Sequence, residues 1–320
     1  MSAVRVRVSW FWLIVLLAAI ALVAVTWWVS AGGANRGDAL KTGGLAGGAI
    51  VAIYALWIND RRRRVEETRI RHDEERVADE RFARAVELLG HETDQVRVGA
   101  MHALAGLAAK EWRYKQIVLD VLCAYLRRPF ELPAQGDEAV REQQVRMTAQ
   151  RLIPELLPLT LEPRPELYDL DLHGATLEYF DLSDRVVADL RMRATNLHES
   201  TSLRGVEVLG DAWFTGATCH GRLYAPGIVF RGRCWFSGFD AHGTVDFEEA
   251  EFGGRTKFAN AIFRGPVSFE DAKFIGERDF SNVKVSTAGP HRLPGGFHVE
   301  PIGKEFGLVR GPAGEYVAGR

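Results

Sequence analysis

The stretch FEEAEFGGRTKFANAIFRGPVSFEDAKF, Phe247 to Phe274, decides the fold. Phenylalanine stands at 247, 252, 258, 263, 269 and 274, so the steps alternate between five and six residues. Two residues before each centre comes a small or β-branched side chain: Val245, Ala250, Thr256, Ala261, Val267 and Ala272. A helix of 3.6 residues per turn cannot hold that beat on one face. An eleven-residue helical repeat could hold it, but not with Gly254, Gly265 and Gly276 recurring at the same interval, each costing ~1 kcal/mol in a helix. A strand can, because residues i and i−2 of an extended chain point the same way.

Working outward, the beat runs back through Phe214, Cys219, Ala225, Phe230, Phe236 and Ala241 and forward to Phe280. Earlier glycines keep it at Gly210, Gly221, Gly232 and Gly243. The expected conformation is a short strand and a corner, repeated until the chain closes a square. Centre and i−2 residues fill the inside, and glycine relaxes the corner that carries the sixth residue. Upstream the step is five: Leu172, Leu177, Leu182, Val187, Met192 and Leu197, followed by Leu203 and Val208. Arg185 falls on an inward site there, which predicts a bulge or a register shift between 183 and 210. Coils stacked ~4.8 Å apart would number about five and make a rod about 25 Å long.

DLDLHGATLEYFDL (Asp169 to Leu182) together with Phe247 to Phe274 resembles the pentapeptide-repeat family, A(D/N)LXX in its common form. The resemblance implies a right-handed quadrilateral parallel β-helix over 167–285. It also implies a protein that works by binding rather than catalysis. Some soluble members of the family imitate duplex DNA and protect gyrase. That alternative role needs a strongly acidic rod, and residues 166–285 hold 19 Asp and Glu against 13 Lys and Arg, a mild excess.

The N-terminal segment reads as membrane. Trp10 to Val29 is apolar but for Thr26, long enough to cross a bilayer, and has tryptophans at both ends. A second apolar run covers Thr42 to Ile58 and carries Gly43, Gly44, Gly47 and Gly48, small residues that let helices approach in lipid. Residues 1–60 are therefore expected to form a transmembrane helical hairpin, with spans at 10–29 and 42–58 and a loop from Ser30 to Lys41. A cleaved signal peptide is the weaker reading, since its apolar core is shorter and no second span follows it. Arg5 and Arg7 before the first span, and Arg61, Arg62, Arg63 and Arg64 after the second, predict a multi-pass cell-membrane protein with both termini in the cytoplasm. The same four arginines are candidates for anionic lipid headgroups.

Residues 61–81 are almost all charged, with Glu67–Arg71 and Glu80–Arg84 at helical i, i+4 spacing, and predict a solvated linker helix. Over 82–160, apolar stripes at 3.6-residue spacing predict a small α-helical domain with a HEAT-like second helix. The stripes are Phe82 to Leu89, Ala100 to Ala108, Ile117 to Leu126 and Val145 to Leu156, with Pro154 as a stop. The helical domain is placed to cap one end of the rod. The Gly- and Pro-rich tail, 286–320, is expected to cap the other end loosely or to lack order. The fold class is α+β in several parts: hairpin, helical domain and β-helix.

No catalytic, cofactor or metal motif appears. The 40 basic and 42 acidic residues nearly cancel, which argues against a nucleic-acid binder working by bulk charge. Cys123, Cys219 and Cys234 have no zinc or redox spacing and read as small core residues. His91 and His102 lack ligating partners. Glu248, Glu249 and Glu251 read as a solvated rim. The expected function is a membrane-anchored, non-enzymatic scaffold whose solenoid binds a cytoplasmic or membrane protein, with regulation of a topoisomerase by DNA mimicry as the alternative.

Overall fold

A computed structural model describes residues 36–311, with isolated positions 19–20, 23–24, 27–28 and 31 before them; of 36–53 and 64–71 it describes the backbone only. The chain divides into two units, 1–79 and 80–320.

In the first unit the described chain is one helix, α1 (Arg36–Leu88), which continues into the second unit. The helix is already formed at Arg36, so the segment 36–41 expected as loop is helical. The first apolar run lies outside the described residues but for those isolated positions. The second lies within α1. Among the described residues no helix is long and apolar enough to cross a membrane.

The second unit joins a helical region to a β-solenoid of about five coils. Its helices are the end of α1, α2 (Asp94–Lys110), α3 (Lys115–Leu126) and α4 (Asp137–Leu156). Met101, Leu104, Val118, Leu122, Val145, Ala149 and Ile153 are buried, so the expected stripes face one another. Phe82 closes the end of α1 by stacking on Tyr114, ring centroids 5.5 Å apart. Pro154 does not stop α4 at once but sits inside its last turn, forgoing the bond an N–H would give the Gln150 carbonyl, and the helix ends two residues later at Leu156.

The solenoid has four parallel faces. Face A stacks strands starting at Leu170, Leu190, Ala212, Cys234, Thr256 and Arg278. Face B stacks those at Thr176, Asn196, Thr218, Asp240, Ile262 and Lys284. Face C runs through Ser200, Arg222, Val245 and Val267, and face D through Val186, Glu207, Val229, Glu251 and Lys273. The register Leu170↔Leu190 gives a first coil of 20 residues, and Leu190↔Ala212 starts coils of 22. Two sides of the square therefore change from five residues to six after the first coil.

Phenylalanine rings stack like for like up the inside. Phe214, Phe236, Phe258 and Phe280 form one column, with centroids 4.4, 4.9 and 5.0 Å apart. Phe230, Phe252 and Phe274 form a second, at 5.4 and 4.5 Å. Phe247 on Phe269, 5.3 Å, belongs to a third. The fourth side is filled by smaller groups, Cys219 and Ala241 before Phe263. Each buried ring contributes ~1.5–3 kcal/mol by leaving water, and each ring pair ~0.5–1.5 kcal/mol more.

Two expectations need correction. Arg185 is not inward: Val186 and Val187 are both buried in its stead, and Arg185 turns out to donate to the Leu157 carbonyl at 3.2 Å. The beat glycines do not serve by relaxing a corner. A Cβ on Gly232, Gly243, Gly254, Gly265 or Gly276 would overlap the carbonyl of the glycine one coil below. Positive φ belongs instead to another series eleven apart: Gly216, Gly227, Gly238, Glu249, Asn260, Asp271 and Asn282.

Both ends of the rod are covered. At the first coil, Gln116 of α3 brackets Asp169, accepting from its N–H at 2.9 Å and donating to its carbonyl at 3.0 Å. Gln150 of α4 accepts from the Glu178 N–H at 2.9 Å, and Pro158 accepts from Val186 N–H at 2.9 Å. Edge groups that would otherwise pair with another chain are thus satisfied. At the far end the tail contributes two strands. Phe306–Arg310 pairs antiparallel with Lys284–Ser286, His298–Pro301 pairs with it in turn, and the Phe297 ring packs 4.8 Å from Phe280.

Candidate functional site

The rod's outward residues repeat every 22 positions, so side chains a full coil apart in sequence become neighbours. On face A one column reads Arg191, Trp213, Trp235 and Lys257. The two indoles meet edge to face, centroids 6.3 Å apart at 74°. Cations cover them: Arg191 and Arg193 each lie 5.3 Å from the Trp213 ring, Arg233 lies 5.1 Å and Lys257 5.9 Å from Trp235. The Nε1 atoms of both tryptophans are buried without an acceptor. Along one edge Arg191 binds Asp189 at 2.7 Å and Arg233 binds Asp211 at 2.5 Å. The hydrogen bond from Arg233 holds the Asp211 carboxyl below its usual range.

Face B carries a ladder of imidazoles. His198 stacks on His220 at 4.4 Å, and His220 meets His242 at 5.2 Å. Burial, then the neighbouring imidazole, pushes both His198 and His220 below the ordinary histidine value. Beside them Arg264 grips both Asp240 oxygens at 2.8 Å and lowers that carboxyl. On face D, Arg231 bridges Glu207 at 3.0 Å and Glu251 at 2.7 Å. On face C the Arg222 guanidinium lies 4.3 Å from the Tyr224 ring.

Where helices meet the first coil, a groove of about 600 Å³ is lined by Met147, Arg151, Pro154, Tyr179, Ser183 and Arg185. Next to it the Arg146 side chain is buried and donates to the carbonyls of Leu126 (2.5 Å) and Thr176 (3.3 Å), tying α3 and α4 to the coil. Its burial depresses its pKa, and four carbonyl contacts in place of a carboxylate hold the charge.

The residues singled out in the sequence are dispersed. Arg61, Arg62 and Arg63 are exposed on α1, and Arg61 stacks over Trp57 at 5.3 Å. Cys123, Cys219 and Cys234 are buried; burial raises the Cys123 and Cys219 thiols to about 12 and Cys234 well above its usual value. A buried thiol so poor at ionising is a packing group. Glu248 and Glu249 are exposed, while Glu251 is taken by Arg231. His91 accepts from the Thr93 N–H at 3.0 Å and His102 is exposed. Among the described residues no three His, Cys, Asp or Glu side chains are grouped to hold a metal. The tryptophan column and the imidazole ladder were missed. Their signal was the 22-residue recurrence of 191, 213, 235 and 257 and of 198, 220 and 242, which has meaning only once the coil length is known.

A family model described as "Pentapeptide repeats (9 copies)" matches residues 225–273 and 242–284, within the coils of 22. Neither the curated proteins nor the solved structures include a match to the chain. With the five- and six-residue sides and the four stacked faces, that match assigns residues 225–284 of the β-solenoid to pentapeptide repeats.

Proposed function

We propose that the chain is a membrane-anchored scaffold, without catalytic activity, whose rod offers its outer faces to a protein partner in the cytoplasm. One observation carries the scaffold reading: the inside of the rod is filled with stacked phenylalanines. A filled rod works through its sides, as extended repeat surfaces do. Both ends are covered as well, which leaves the four faces for contact.

The anchor is supported by the sequence: the apolar runs 10–29 and 42–58 with arginines outside them. Trp57 with Arg61 stacked over it is the aromatic and cationic pairing found at headgroup level, and Arg61 to Arg64 suit anionic lipids there. The DNA-mimic alternative draws on the acidic excess of the rod and a topoisomerase as partner.

Proximity labelling from a fusion after Arg320, in native membranes, tests the reading. The expected result is a reproducible cytoplasmic or membrane protein that is lost when 167–285 is deleted. Topoisomerase subunits would favour mimicry. Labelling confined to proteins outside the cytoplasm would overturn both the topology and the scaffold.

A further inference from the structure

We propose that face A of the rod is a docking strip for an extended acidic segment of the partner protein; this rests on the scaffold reading and assigns it a surface. The first observation is a segregation of charge. In the face A rungs 189–193, 211–215, 233–237 and 255–259 there are five basic residues and two acidic ones. The rod as a whole, 166–285, has 19 acidic and 13 basic residues. The four middle rungs of face A are therefore positive, between end rungs 169–173 and 277–281 that hold four acidic residues and one basic. At physiological salt, charges interact over about 8 Å, so a short bound segment senses that face and not the others.

The second observation is how the aromatic centre is built. Trp213 and Trp235 lie mid-strip, half-buried, with Arg191, Arg193, Arg233 and Lys257 packed on their rings. The ring surfaces are already covered by cations, so they are closed to stacking bases. Of these cations Arg191 and Arg233 are held by Asp189 and Asp211, while Arg193 is exposed and Lys257 half-buried. Among the described residues neither Arg193 nor Lys257 makes an ion pair, and they lie at the two ends of the column. Three rung steps of ~4.8 Å set the strip's length at ~14 Å, the reach of about four extended residues. Carboxylates spaced along such a segment meet guanidinium and ammonium groups at that interval, and the indoles beneath hold those cations in place.

The test uses the purified full-length chain and a fluorescein-labelled octapeptide of alternating Glu and Asp, read by anisotropy. Binding is expected at low ionic strength and should weaken as salt rises. R193A/K257A should weaken it about tenfold, as expected for two lost ion pairs. R193K/K257R should restore it, and K273A/K284A, on faces D and B, should leave it unchanged. Circular dichroism checks that each variant folds. Absence of peptide binding, or equal binding by R193A/K257A, overturns the inference. So does a thymidine octamer that binds more tightly than the peptide and is lost in the same variant. A partner labelled in the membrane that still binds R193A/K257A leaves the scaffold standing and overturns the strip. Loss of rod-dependent labelling altogether, with peptide binding intact, overturns the scaffold alone.

Discussion

At the scale of single residues, the rod depends on what each inward position can tolerate. Phe258 stacks on Phe236 and Phe280, meets Phe247, Phe252 and Phe269 edgewise, and lies tilted against Phe263. Phe258→Ala should cost about 3–5 kcal/mol in urea unfolding, because four walls of the square cannot close on the void. Phe258→Asp should abolish the folded rod, since a carboxylate would be left among rings. Normal circular dichroism from that variant would show that Phe258 does not face inward. The glycines divide into two kinds that a sequence cannot separate. Gly232 lies against the Gly210 carbonyl, so Gly232→Ala should cost about 1–3 kcal/mol. Gly238 has φ +66 and open space, and Asn260 and Asn282 occupy the same corner in later coils. Gly238→Asn should therefore stay within about 1 kcal/mol of the parent. Equal melting of the two variants would contradict this division.

At the scale of elements, the face B ladder makes stability depend on pH. His198 and His220 have pKa values held down in the folded rod, by burial first and the next imidazole second. Unfolded, both take up protons near pH 6.5. The unfolded chain then binds more protons in mild acid, so stability is level above about pH 6.5 and falls as pH drops below it. Glu178 and Glu199 near His198, and Asp240 near His220, soften the fall without reversing it, and Arg264 already neutralises much of Asp240. The urea midpoint should drop between about pH 7.5 and 5.5. His198→Gln with His220→Gln should flatten that slope; an unchanged slope would remove the ladder as its cause. The five/six beat was readable because a residue's inward direction depends on local alternation alone. The ladder and the tryptophan column were not, because they depend on register between coils. Arg185 shows the same limit: the beat placed it inward, and only the neighbouring loop, with an acceptor at Leu157, shows why Val186 takes that place. The tail's glycines and prolines likewise concealed two paired strands, whose partner edge is distant in sequence.

At the scale of the whole molecule, helices and solenoid form one body through Arg146. Its guanidinium holds carbonyls from the end of α3 and from Thr176 of the first coil. Arg146→Ala should cost about 3 kcal/mol, from carbonyls left buried and unpaired, and should split unfolding into separate helical and rod transitions. A single unchanged transition would mean that the junction is held elsewhere. With the ends covered and the interior filled, the outer columns are where the side-chain chemistry varies.

The solenoid stands on stacking: residues a coil apart must be one rung apart in space. Spin labels on cysteines introduced at Asn196 and Lys284 test this directly. The two positions occupy one column of face B, four rungs apart through Thr218, Asp240 and Ile262. The three native cysteines are buried and should not react. Pulsed electron-spin resonance should give a narrow distance distribution near 20 Å, from four rungs of ~4.8 Å. A broad distribution, or one centred beyond about 40 Å, would contradict a stacked solenoid, and with it the faces on which the proposed function rests.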